Sequence, residues 1–120
     1  MIPAGVQVFV ALEPVDMRYG FERLSGMVRE HIGYEPRCGA LFVFVGRRRE
    51  TLKILFWDGS GMCVFYKRLD QGTFTLPPTQ AEGVRHVEVD DVVLEALLDG
   101  VELSSSTKAT AKKKPPPRVH

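Results

Sequence analysis

Short runs of apolar residues, each about the length of one β-strand, alternate with polar connections along most of the chain. The first run, VQVFVAL at residues 6–12, is rich in β-branched side chains and predicts a strand that ends before Pro14. Runs at residues 41–45, 52–57 and 62–68 predict three consecutive strands. The connection DGSG is a tight turn and GRRRET is a longer charged loop, so the three strands form an antiparallel meander.

Two segments show the spacing of helices. Apolar residues recur three and four positions apart between residues 20 and 32, which predicts a helix that ends at Gly33. The alternating sequence VRHVEV at residues 84–89 predicts a last strand, and Asp90 or Asp91 then caps a short helix through Leu98. The predicted fold is α+β: a mainly antiparallel sheet with one packed helix and a short C-terminal helix.

The total length and the distribution of charge divide the chain into a body and a tail. At 120 residues, the chain is long enough for one domain, which we place at residues 1–103. Residues 104–120 are a Lys/Pro-rich segment that cannot build a core, and we expect this basic tail to be disordered. The tail carries five cations and no acid, whereas the body has 11 basic and 15 acidic residues. Affinity for nucleic acid must therefore come from local patches or from the tail.

Several classes of protein and site are disfavoured by the composition. No apolar run is long enough for a membrane span, and no basic region precedes the first apolar stretch as a secretory signal requires. Cys38 and Cys63 lie 25 positions apart without paired histidines, which is a poor metal pattern. We expect reduced, buried thiols in a cytoplasmic protein that has no metal and no cofactor.

The strongest candidate site consists of cationic residues that lie where the chain enters and where it leaves the hairpin at residues 52–68. If the two runs pair about the Asp-Gly turn, these cations meet at the far end of the hairpin and offer a seat for phosphates. The alternative interpretation is a solvated loop whose charges discourage pairing at a sheet edge. The six candidate DNA-contacting residues are Arg47, Arg48, Arg49, Lys53, Lys67 and Arg68.

Other residues offer weaker candidates. Leu55 and Trp57 share a strand face with Lys53, and an exposed apolar face there would dock a protein partner. The tail lysines Lys108, Lys112, Lys113 and Lys114 would add sequence-independent attraction to DNA.

A catalytic site has less support from the sequence. A two-metal nuclease needs converging carboxylates. Asp16 suits a helix cap with an ion pair to Arg18, Asp58 suits the tight turn, and nothing in the sequence brings them together with Asp70.

Several blocks of sequence, in order along residues 1–103, resemble the TnpB accessory proteins of the insertion-sequence-66 family. The blocks are DMRYGF at 16–21, LFVF at 41–44, GRRR at 46–49, KILFWDGSG at 53–61, KRL at 67–69 with Gly72 and Phe74, and LLDG at 97–100. The resemblance implies a bacterial mobile element and an accessory to a separate, larger transposase, without a known chemical activity of its own.

Three hypotheses about function follow from the residues and the resemblance. The first is a non-catalytic accessory protein of DNA transposition that binds DNA through the basic hairpin. The second is an adaptor that docks the transposase or another protein of the same element. The third is a metal-dependent nuclease. The oligomeric state is left open.

Overall fold

Five strands form one mixed sheet at the centre of the molecule. The computed structural model of the chain describes residues 5–78 and 82–102. The strands are β1 (Val8–Ala11), β2 (Leu41–Val45), β3 (Thr51–Trp57), β4 (Met62–Arg68) and β5 (His86–Val89), in the spatial order β4-β3-β2-β1-β5. β1 and β2 are parallel, and every other neighbouring pair is antiparallel. The predicted meander of three strands is confirmed, and β4 and β5 lie at the two edges.

Two helical segments cover opposite faces of the sheet. Helix α1 (Phe21–Met27) lies in the connection between β1 and β2 and continues as a wider π-helical turn, Val28–Ile32. Gly33 ends this segment with a positive φ of 84°, which a residue without a Cβ adopts at little cost. Helix α2 (Asp91–Leu98) follows β5 and begins at Asp90, whose Oδ1 accepts a 2.9 Å hydrogen bond from the backbone N–H of Val93. Both helix ends occur where the sequence predicts them.

The alternation of side chains along each strand produces two separate apolar cores. One core packs under α1, and its buried members include Phe9, Phe42, Phe44 and Leu55. The other core packs under α2 and contains residues of opposite parity, such as Val8, Val10, Val43 and Leu52. The sheet is therefore covered on both faces, which explains why its central strands are apolar at nearly every position. The predicted α+β fold is confirmed.

Three details differ from the expectations, and one expectation falls outside the described residues. Leu55 is fully buried in the core under α1, so the expectation that it forms an exposed face is wrong. Cys38 is exposed rather than buried, and Cys63 is half-buried; both are free thiols. Asp16 does not cap α1, because the first helical turn follows Gly20 without a side-chain cap. The basic tail, with Lys108, Lys112, Lys113 and Lys114, lies outside the described residues.

Within the part of the chain that the structure describes, no helix combines the length and the apolar character that crossing a bilayer requires.

Close packing explains why residue 46, at the end of β2, is glycine. A Cβ at this position would lie 2.7 Å from Oγ1 of Thr51 and 3.0 Å from Cγ of Met17. The backbone of Gly46 also forms a parallel bridge with Val15, so the segment before α1 lies directly against the end of β2. A side chain at residue 46 would therefore force the side chains of Thr51 and Met17 to shift.

We expect Gly46→Ala to lower the free energy of unfolding by about 1–3 kcal/mol, because the added methyl group clashes with the side chains of Thr51 and Met17. Denaturant unfolding followed by circular dichroism measures this change. Gly61→Ala is the matched control, because a Cβ there meets nothing within 4 Å. Equal stabilities of the two variants would contradict this account of Gly46.

Candidate functional site

The loop between β2 and β3, which carries the three arginines, is a fixed turn. The N–H of Gly46 donates to the carbonyl of Thr51 at 3.0 Å, and the N–H of Arg49 donates to the carbonyl of Gly46 at 2.9 Å. Arg49 has a φ of 61°, in the left-handed region that closes such turns. Its own carbonyl accepts a 2.6 Å hydrogen bond from the N–H of Phe74, which ties the loop to the chain beyond β4. The arginine side chains therefore leave a backbone that is held at several points.

The segment before α1 joins this loop from another part of the sequence. The N–H of Val15 donates to the carbonyl of Val45 at 3.0 Å, next to the bridge between Val15 and Gly46. Beyond this contact the chain turns, and the carboxylate of Asp16 accepts hydrogen bonds from the backbone N–H of Arg18 (2.8 Å) and from its Nη2 (2.7 Å). The two sequence blocks DMRYGF and GRRR are thus neighbours in space, although about 30 residues separate them.

Four arginines from three stretches of the chain meet around one open cavity of about 480 Å³. We call this group the arginine cluster: Arg18, Arg47, Arg48 and Arg68. Two carboxylates, Asp16 and Glu50, line the same cavity, so the site has a formal charge of +2. Arg49 is exposed on the same loop but does not line the cavity. Arg47 and Arg48 therefore lie around the same cavity as Arg68, as the sequence predicts, whereas Arg49 does not. Arg18 is a member that the sequence analysis missed.

The arginines differ in how far carboxylates neutralise them. Nη2 of Arg18 lies 2.7 Å from Oδ2 of Asp16, whereas Nη2 of Arg68 lies 4.0 Å from Oε1 of Glu50. Arg47, Arg48 and Arg49 form no ion pair within 4.0 Å with any carboxylate of the described residues. Because exposed pairs at long distance contribute little, the loop arginines and Arg68 retain most of their capacity to bind an anion.

Asp16 responds to this positive surrounding. The hydrogen bonds from the Arg18 side chain and backbone hold the pKa of Asp16 far below its ordinary value, and the charge of Arg47 acts in the same direction. Asp16 is therefore a stable anion that orients Arg18, and its carboxylate does not take up a proton near neutral pH.

Lys53 and Lys67 do not belong to the arginine cluster, so the prediction that all six cations share one area is wrong for these two residues. In the register of the hairpin, Lys67 pairs with Leu52, which places Lys53 and Lys67 on opposite faces of the sheet. Nζ of Lys53 donates to the carbonyl of Tyr19 at 2.9 Å, and Nζ of Lys67 donates to the carbonyl of Leu98 at 2.7 Å. Each ammonium group satisfies a backbone carbonyl. Lys53 does so before α1, and Lys67 does so at the end of α2, where a positive charge is favourable.

An apolar cavity of about 660 Å³ opens on the α2 face of the sheet. Its walls include Trp57, Phe56, Phe65 and Leu98, together with one acidic residue of α2 and one that follows it, Glu95 and Asp99. Arg37 lies over the ring of Trp57, with its guanidinium carbon 5.6 Å from the ring centroid. Trp57 is half-buried, so it remains a candidate for contact with a partner, whereas Leu55 is not.

Asp58 does not converge with the carboxylates that line the cavity of the arginine cluster. Asp58 lies in the turn between β3 and β4, at the opposite end of β3 from the arginine cluster, and β3 spans about 20 Å. Its Oδ1 accepts from the N–H groups of Ser60 (2.8 Å) and Gly61 (2.9 Å), as the tight turn predicts, and these bonds lower its pKa. Burial raises the pKa of the neighbouring Cys63 thiol, which is the opposite of activation. Residues 5–78 and 82–102 contain no group of three or more His, Cys, Asp or Glu that could hold a metal ion.

We expect Arg18→Gln to raise the pKa of Asp16 toward its ordinary value of 3.8, because the substitution removes the guanidinium donor. In the wild-type chain the folded pKa lies below the unfolded one. The pair therefore stabilises the fold above the unfolded pKa, and this stabilisation is lost as pH falls toward the folded pKa. A ¹³C NMR titration of the carboxyl group measures the midpoint. Arg29→Gln, which alters a distant arginine near Glu35, serves as the control; equal Asp16 midpoints in the wild type and both variants would contradict this assignment.

Comparisons with known proteins give this chain a family match. The family model described as IS66 Orf2-like protein matches residues 6–108. Uncharacterized protein y4hO of Sinorhizobium fredii strain NGR234 is 41% identical over 104 residues, which cover 85% of this chain and 88% of that protein. Uncharacterized protein y4jC of the same strain is 37% identical over 90 residues, covering 75% and 76%. No solved structure gives a significant match. The family match therefore covers all three stretches of chain that build the arginine cluster.

Proposed function

This chain belongs to the IS66 Orf2-like family, and from this premise we propose that it is a non-catalytic accessory protein of DNA transposition that binds the phosphate backbone of DNA through the arginine cluster. The family suggests a transposition accessory role in an insertion sequence. The observation that carries the finer proposal is the meeting of four arginines from three stretches of chain around one polar cavity.

The geometry supports contact with phosphates rather than readout of bases. Arginine binds phosphate oxygens in a bidentate manner, and such contacts position a protein on DNA without reading its sequence. The loop from Gly46 to Thr51 is held by its own hydrogen bonds and by Phe74, so Arg47 and Arg48 lose little backbone freedom on binding. Asp16 fixes Arg18 in place, and it also lowers the formal charge of the site.

We expect the double variant Arg47→Ala/Arg48→Ala to bind duplex DNA about tenfold more weakly at 0.1 M salt and to lower the slope of log K against log salt by about 2, because two phosphate contacts are lost. Fluorescence anisotropy with a labelled duplex over a salt series measures both quantities.

The matched control is Arg29→Ala/Arg37→Ala, which removes the same charge from a region around Glu35. Its affinity and salt slope should stay close to those of the wild type. Equal losses in both double variants would show that overall charge, not the arginine cluster, drives binding. If DNA binding is unchanged but the loop variant no longer co-purifies with the transposase after nuclease treatment, the site is a protein-docking surface and the DNA proposal is wrong.

A further inference from the structure

The edge strand β4 carries backbone groups that the described part of the chain leaves without a strand partner. One side of β4 pairs with β3 along seven consecutive positions, from Thr51–Arg68 to Trp57–Met62. No strand lies on its other side within residues 5–78 and 82–102. The pairing with β3 has no bulge, and β4 contains no proline, so it lacks two devices that usually prevent edge strands from pairing.

The hydrogen bonds at the two ends of the hairpin identify the outward groups. The N–H of Asp58 donates to the carbonyl of Gly61, and the N–H of Leu69 donates to the carbonyl of Glu50. Because hydrogen-bonded and non-hydrogen-bonded pairs alternate in an antiparallel ladder, the odd-numbered residues of β4 direct their N–H and C=O groups toward β3. The even-numbered residues direct theirs outward; they are Met62, Val64, Tyr66 and Arg68.

The side chains of β4 suit a dry contact at its centre. Phe65 is 44% exposed and Tyr66 is 52% exposed, and they lie on opposite faces of the strand. Phe65 also forms part of the wall of the apolar cavity beside α2. The cations at the end of the strand are directed elsewhere, since Lys67 donates to Leu98 and Arg68 lies near Glu50. The other edge strand, β5, has only four residues and exposes Glu88 at its centre.

We propose that β4 pairs antiparallel with β4 of a second copy of this chain, about a two-fold axis that passes beside Phe65. This register pairs all seven residues of both strands, whereas a slip by two residues leaves two of them unpaired at each end. Met62 then meets Arg68 of the second copy and Val64 meets its Tyr66, and these four symmetric pairs form eight backbone hydrogen bonds.

Side-chain contacts favour the same register. Phe65 faces Phe65 of the second copy as a non-hydrogen-bonded pair, the type in which side chains are closest, and aromatic pairs of this kind stabilise a sheet. Lys67 faces Cys63 of the second copy, so no like charges meet across the axis. The result is a continuous ten-stranded sheet. Each Arg68 lies about 10 Å from the axis along the strand direction, so the two arginine clusters lie at opposite ends of the contact.

The first test is a disulfide across the axis. In a Cys38→Ser/Cys63→Ser background, Phe65→Cys places two thiols at positions whose Cα atoms are about 4.5 Å apart, within the range for a disulfide. Mild oxidation with copper-phenanthroline should convert most of this variant to a covalent dimer. Ser60→Cys is the control, since residue 60 is also exposed but its two copies would lie about 33 Å apart. Equal cross-linking of the two variants would overturn the proposal.

The second test uses proline at an outward N–H. Tyr66→Pro removes no hydrogen bond to β3 but blocks pairing on the free side, as proline does at sheet edges. Light scattering should give twice the 13.4 kDa of one chain for the wild type and for Tyr66→Val, which keeps the N–H, and a single chain mass for Tyr66→Pro. Circular dichroism checks that the variant is folded. A wild-type chain that remains a monomer near 100 µM would overturn the proposal. This holds even if residues 103–120 or another protein occupy the free edge of β4. None of these outcomes depends on DNA binding.

Discussion

The parallel contact between Val15 and Gly46 is the constraint on which the arginine cluster depends. The N–H of Val15 donates to the carbonyl of Val45, and Val15 forms an isolated parallel bridge with Gly46. The segment before α1 therefore lies beside the β2–β3 loop. Glycine at residue 46 suits this contact, because a Cβ there would clash with the side chains of Thr51 and Met17. Lys53 supports the same segment from the sheet by donating to Tyr19. Without this contact Arg18 and Asp16 would not reach the loop arginines.

This constraint also shapes the electrostatics of the site. Arg18 is held by Asp16, so its positive charge has a fixed position beside the cavity. Arg47 and Arg48 project from a hydrogen-bonded turn. The arrangement separates cations that stabilise the fold from the exposed cations of the arginine cluster. Lys53 and Lys67 stabilise the fold by satisfying carbonyls of the backbone on the two faces of the sheet. The arginine cluster lies at the end of the sheet where β2 ends and β3 begins, and it is accessible to an anion from outside.

Local patterns in the sequence predict most of the fold. The strands of the meander, the glycine at the end of the first helical segment and the Asp90 cap depend on neighbouring residues, and all are confirmed. Contacts between distant residues are where prediction from the sequence fails. The burial of Leu55 depends on where α1 packs, and the membership of Arg18 depends on the contact of Val15 with Gly46. The position of Lys53 and Lys67 on opposite faces of the sheet could have been predicted, since the Asp58–Gly61 turn fixes the register of the hairpin.

An NMR titration of the ¹⁵N-labelled chain with a duplex DNA tests the central claim most directly, because it locates the contact surface without altering any residue. The account predicts that backbone and arginine side-chain shifts change at residues 15–18, at residues 46–50 and at Arg68, and that the indole N–H of Trp57 does not respond. Shift changes centred on the Trp57 cavity and α2, with none at the Gly46 turn, would contradict it.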